Sequence, residues 1–168
     1  DKSEAFVNLA NIQCKIGKAD KAITNYQQAL ESNPNELAAL NNLGSLLVEK
    51  GQYQEAISIL KRQIKIDPHQ PKAFFSLSLA LKSIHQVEAA IDAAERAIQL
   101  DRDFIEAYHS LGKLLIQTGR FEEAAKTLQT ANKIAPENSK TLSLLGLSLL
   151  DLQKFDAAHD LFLRALNI

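Results

Sequence analysis

The chain has one cysteine, Cys14, no methionine and a net charge of −1 over 168 residues. A lone cysteine excludes an internal disulfide and suits a reducing compartment, so a cytoplasmic location is expected. The near-zero net charge leaves no global field to draw in nucleic acid or an anionic membrane. No apolar run approaches the roughly 20 residues that cross a bilayer. The richest, "LSLLGLSLLDL" (Leu142–Leu152), is short and interrupted by Ser and Asp. The N-terminal "DKSEAF" lacks the basic-then-apolar order of a signal peptide. With no Met even at position 1, the sequence reads as a segment of a longer chain.

What is present is a repeat. "LNNLGSLLVEKGQYQEAI" (Leu40–Ile57) returns as "YHSLGKLLIQTGRFEEAA" (Tyr108–Ala125), 68 residues on, twice a period of 34. Steps of 34 from Ala22 land on Ala56, Ala90, Ala124 and Ala158. The same steps from Leu9 land on Leu43, Leu77, Leu111 and Leu145, each followed by a small residue. Pro34, Pro68 and Pro136 keep the beat, and Arg102 takes the remaining place.

Five units follow: Ser3–Glu36, Leu37–Gln70, Pro71–Phe104, Ile105–Asn138 and Ser139–Ile168. Within each, apolar residues recur at helical spacing in two blocks. Gly17, Gly51 and Gly119 stand where the first helix must end in a turn that glycine adopts cheaply. Asn, Asp or Ser beside the later prolines can cap the next unit's helix. The small residue at Gly44, Gly112 or Gly146 predicts close helix approach, with Ala56, Ala124 or Ala158 packed opposite. Tyr53, Phe121 and Phe155 are expected to fill gaps between units. One hairpin cannot bury its apolar face alone, so the units must stack.

No catalytic constellation is visible, and the chain is expected not to be an enzyme. All six glycines serve the repeat, leaving no phosphate-cradling loop. His69, His85, His109 and His159 lie in different units without metal-ligand spacing, and read as surface histidines. No cofactor and no metal are expected. Cys14 reads as a small packing residue. Acid pairs such as Glu122-Glu123 open helices, where they favour the helix dipole.

These positions resemble the tetratricopeptide repeat. Unit four reads Tyr108, Leu111-Gly112, Leu115, Gly119, Phe121, Ala124, Leu128, Ala131 and Pro136, close to that family's pattern. Unit two carries Leu40, Leu43-Gly44, Leu47, Tyr53, Ala56, Leu60 and Pro68. Unit three departs most, with His85 at the turn, Ala94 at a bulky position and Arg102 for Pro. The resemblance implies an all-α solenoid, a right-handed superhelix of five helix-turn-helix hairpins forming a single domain over residues 1–168.

In resembling proteins the first helix of each hairpin lines a concave groove that takes a peptide or a partner helix. Carried onto this sequence, the groove holds Asn8, Asn11 and Lys15; Asn41, Asn42, Ser45 and Glu49; Lys72, Phe75, Ser76 and Lys82; His109, Ser110, Lys113 and Gln117; and Lys140, Leu144, Leu147 and Asp151. Asn8, Asn11, Asn41 and Asn42 form an amide wall able to hold a peptide backbone. "LNNLG" is similar to the repeats ahead of the catalytic domain of O-linked N-acetylglucosamine transferases, so a substrate-recruiting arm of a larger modifying enzyme is the alternative to a scaffold. A spacer or oligomerisation module is a third reading. Lys72, Lys82 and Lys113 suit a partner bearing carboxylates. Chaperone-tail clamps place further cations where this chain has Val7 and Ser76, so clamp binding is expected to be weak or absent. Leu144, Leu147 and Leu150, with Leu161, Phe162, Leu163 and Leu166, have no following hairpin to cover them. Self-association through the C-terminal repeat is expected.

Overall fold

A computed structural model describes all 168 residues. It contains ten α-helices and no strand: α1 (Lys2–Lys15), α2 (Ala19–Ser32), α3 (Leu37–Glu49), α4 (Tyr53–Ile66), α5 (Pro71–Ser83), α6 (Val87–Leu100), α7 (Ile105–Gln117), α8 (Phe121–Ile134), α9 (Ser139–Asp151) and α10 (Phe155–Leu166). Helices α3, α5, α7 and α9 begin at the residues where the repeats begin. No helix is long and apolar enough to cross a membrane.

The helices form two compact units, Asp1–Gln86 and Val87–Ile168. The boundary falls inside the third repeat, between α5 and α6. In the first unit α1 packs on α2, α2 on α3, α3 on α4, and α5 on both α3 and α4. In the second, α6, α7, α8, α9 and α10 pack in sequence, and α9 also touches α7.

The 34-residue beat is a burial rule. Ala22, Ala56, Ala90, Ala124 and Ala158 are all buried, as are Leu43, Leu77, Leu111 and Leu145. The residue opposite each helical glycine is not the expected alanine but the bulky residue four positions later. A methyl group on Gly44 would lie 2.7 Å from Leu60 Cδ2, on Gly112 2.8 Å from Leu128 Cδ2, and on Gly146 2.8 Å from Phe162 Cε1. Leu60 and Leu128 are themselves fully buried, so these side chains occupy the space the glycines leave.

All five first helices end in the same backbone turn. The N–H groups of Lys18, Gln52, Gln86, Arg120 and Lys154 donate to the carbonyls of Gln13, Leu47, Leu81, Leu115 and Leu149 at 2.8–3.0 Å. That six-to-one bond defines a Schellman ending, which needs a left-handed residue just before its donor. Gly17, Gly51 and Gly119 supply it with φ of 74°, 75° and 74°. His85 and Gln153 adopt it as well, with φ of 61° and 58°.

The links between repeats close differently from the expectation of capped helix starts. Of the four residues that link one repeat to the next, Asn138 alone caps the following helix, accepting from Thr141 N–H at 2.9 Å; Glu36, Gln70 and Phe104 make no side-chain cap. Instead Asn33, Asp67 and Asp101, again 34 apart, accept from the backbone N–H two residues on at 3.0–3.1 Å. These Asx turns satisfy the linker locally and leave the next helix free to start on an apolar residue.

Candidate functional site

In the first unit, α1, α2 and α3 bound a cleft of about 610 Å³. It is lined by Asn11, Cys14 and Lys15 from α1, Ala19 and Tyr26 from α2, and Asn42, Ser45, Leu46 and Glu49 from α3. Five of these are expected groove residues: Asn11, Lys15, Asn42, Ser45 and Glu49.

A hydrogen-bonded chain of side chains fixes the cleft wall. Tyr26 Oη donates to Asn11 Oδ1 at 2.6 Å, and Asn42 Nδ2 donates to the same oxygen at 2.8 Å. Asn41 Nδ2 donates to Asn42 Oδ1 at 3.2 Å, and Gln63 Nε2 donates to Asn41 Oδ1 at 3.4 Å. Burial pushes the Tyr26 phenol up to about 12, helped by Cys14 beside it, so Tyr26 remains a donor at neutral pH. With both acceptor directions of Asn11 Oδ1 filled, the Asn11 amide N–H groups are what it can offer across the cleft. Tyr26 escaped the sequence reading. Its signal was there: steps of 34 from Tyr26 give Leu60, Ala94, Leu128 and Phe162, so a hydroxyl appears only in the first repeat.

Other expected residues lie elsewhere. Asn8 is exposed on α1 outside the cleft lining. Lys72, Phe75, Ser76 and Lys82 are on α5; Lys72 is exposed and the other three are half-buried. Lys72 and Lys82 are ten residues apart, roughly 15 Å along the helix. Lys113 is exposed on α7, in the second unit.

Two assignments change. His109 is not a surface histidine: it is 4% exposed, and its Nε2 lies 2.7 Å from Thr141 Oγ1 on α9. Thr141 Oγ1 in turn donates to Asn138 Oδ1 at 3.2 Å, which leaves a lone pair to accept from His109 Nε2–H. Burial lowers the His109 pKa, and Lys140 adds to that effect. The residue therefore joins α7 to the capped start of α9. Cys14 is not a packing residue: it is exposed, with Sγ 3.9 Å from Tyr26 Oη.

The second unit has a cleft of about 370 Å³ among α6, α7 and α8, lined by Glu95, Ile98, Gln99, Tyr108, Leu111, Lys126, Thr127 and Thr130. None of the expected groove residues is part of it.

Comparison with known proteins places this architecture. A tetratricopeptide-repeat family model matches residues 1–69, and the model described as anaphase-promoting complex, cyclosome, subunit 3 matches residues 83–165. No curated protein matches the chain. A crystal structure of MamA is 28% identical with a TM-score of 0.89, over 94% of this chain and 92% of that one. MamA from Desulfovibrio magneticus RS-1 is 21% identical with a TM-score of 0.91, over 99% and 94%. YrrB, described as a TPR protein with an unusual peptide-binding site, is 21% identical with a TM-score of 0.82, over 96% and 84%. The phased Leu-small and Ala positions, the five matching turns and these similarities agree: the fold is an all-α tetratricopeptide-repeat solenoid, and residues 1–69 match that family's own model.

Proposed function

We propose that the chain is a non-catalytic protein-interaction scaffold, and that the cleft bounded by α1, α2 and α3 holds an extended segment of a partner protein. The observation that carries this reading is the braced Asn11–Asn42–Tyr26 wall beside an open cleft of about 610 Å³. Amides held in place before binding lose little freedom when a peptide backbone arrives. The Asn11 N–H groups suit its carbonyls, and Lys15 and Glu49 at the rim can select side chains of either sign. Lys72 and Lys82 on α5 favour a partner that carries carboxylates.

The test is selection from a displayed peptide library against the wild-type chain and a Ser45→Trp variant, which fills the cleft from a half-buried position. Peptides enriched on the wild type should lose at least tenfold in affinity for a variant of unchanged melting temperature. Equal affinity for both would move the binding surface off this cleft.

A further inference from the structure

Two helix faces expose apolar side chains, and the repeat's own register shows that they are complementary. On α1, Leu9 is 45% exposed, whereas Leu43, Leu77, Leu111 and Leu145 at the same repeat position are at most 8% exposed. Ile12 is 57% exposed, whereas Leu46, Ala80, Leu114 and Ser148 are at most 9%. Ala5 is exposed where Ala39, Ala73, Ala107 and Thr141 are buried. Spaced three and four apart, Ala5, Leu9 and Ile12 form one stripe of α1.

The opposite face is at the C-terminal repeat. Leu144 and Leu161, expected to be uncovered, are buried in a cluster that includes Ala125 and Leu128 of repeat four. Leu147 and Leu150 on α9 and Leu163 and Leu166 on α10 are exposed as expected, and Phe155 on α10 is exposed with them. In the second unit the joint between repeats four and five gathers Ala125, Leu128 and Ile116 with Leu142, Leu145 and Leu149 into one apolar cluster. One period onward, the first three positions are His159, Phe162 and Leu150. Four periods back, the other three are Phe6, Leu9 and Gln13. The two faces therefore carry both halves of a joint the chain already makes, with an apolar residue at four of six places.

Charge points to the same pairing. Arg120 Nη1 lies 3.7 Å from Glu88 Oε2 across the joint between repeats three and four. The equivalent positions at the open faces are Lys18 and Asp156, both exposed and of opposite charge.

We propose that a second copy of this chain docks head to tail, the α1 stripe of one copy covering the α9–α10 face of the other in the internal repeat register. The joint is heterologous, so each copy keeps one face free after pairing.

The experiment is light scattering across a concentration series with two exposed-surface variants, Leu9→Glu/Ile12→Glu and Leu150→Glu/Phe155→Glu. The wild type should gain mass with concentration, and each variant alone should stay monomeric. Mixed together, the variants should form a complex of two, because one brings an intact C-terminal face and the other an intact α1. Lys18→Asp should weaken wild-type association, and mixing it with Asp156→Lys should restore it. A wild type that stays monomeric throughout would overturn the proposal. So would self-association of the α1 variant alone, which would mean pairing of two C-terminal faces. A mixture that fails to pair while the wild type associates would overturn the register.

Discussion

At residue 109 the repeat is put to a use that a single sequence does not announce. The position is one of the groove places, yet the His109 ring is enclosed and bonded to Thr141, which Asn138 holds from the other side. Burial, then Lys140, disfavour the imidazolium; Lys113 acts in the same direction and Glu106 against it. The sign for stability follows. The unfolded chain protonates this histidine near pH 6.5, while the folded chain resists until lower pH. Between those values the unfolded state binds more protons, so stability falls as pH drops from about 7.5 toward the lowered folded pKa. A His109→Gln variant should show a flatter decline of melting temperature over the same range. Parallel curves would mean that other groups set the pH dependence. The Asn11–Tyr26 pair was hidden for a related reason. Five copies make Leu43 or Ala56 legible by redundancy, whereas a contact made once has no second instance to expose it.

At the scale of the element, the helix spans were written plainly. Periodic leucines and alanines set the buried faces, and the first helices of four repeats start where the beat places them. Less legible were the endings. Asn33, Asp67 and Asp101 close their linkers through side chains, which leaves helix starts with no polar cap and no local signal except their spacing. The turns carry a cost that can be measured. A non-glycine residue in the left-handed region is disfavoured by about 1–2 kcal/mol, and glycine returns part of that through its freer unfolded chain. His85→Gly should therefore stabilise the protein by about 0.5–1 kcal/mol, since the His85 side chain is exposed. The shift in melting temperature should be roughly 2–4 °C per kcal/mol for a chain of this size. Gly119→Ala, at φ 74° with open space around it, should lower the melting temperature instead. A decrease for His85→Gly would show that its side chain makes a stabilising contact.

At the scale of the molecule, charge is balanced, with 19 basic and 20 acidic side chains. Any attraction for an acidic partner is then local, and its salt dependence measures how local. Lys72 and Lys82 stand on one helix, far enough apart to act as separate charges rather than as one anion cradle. Binding that uses both should weaken a few-fold between about 50 and 200 mM salt, as screening shortens to roughly 7 Å. Affinity that ignores salt would assign recognition to the amides and apolar contacts alone. The sequence supplied the hairpins through repetition. The division after Gln86 was less visible, because it falls at a turn whose bonds match those of the other four.

Those five matching turns bear on how such chains are recognised and redesigned. The motif that ends each first helix resides in the main chain, in one bond between residues five apart, and the side chain at its left-handed position is only a tenant. Histidine and glutamine hold that tenancy in the third and fifth repeats. A search that insists on glycine there will miss genuine copies and undercount arrays. A designer has the converse freedom, since two of the five positions already carry an exposed polar side chain and keep the turn's bond.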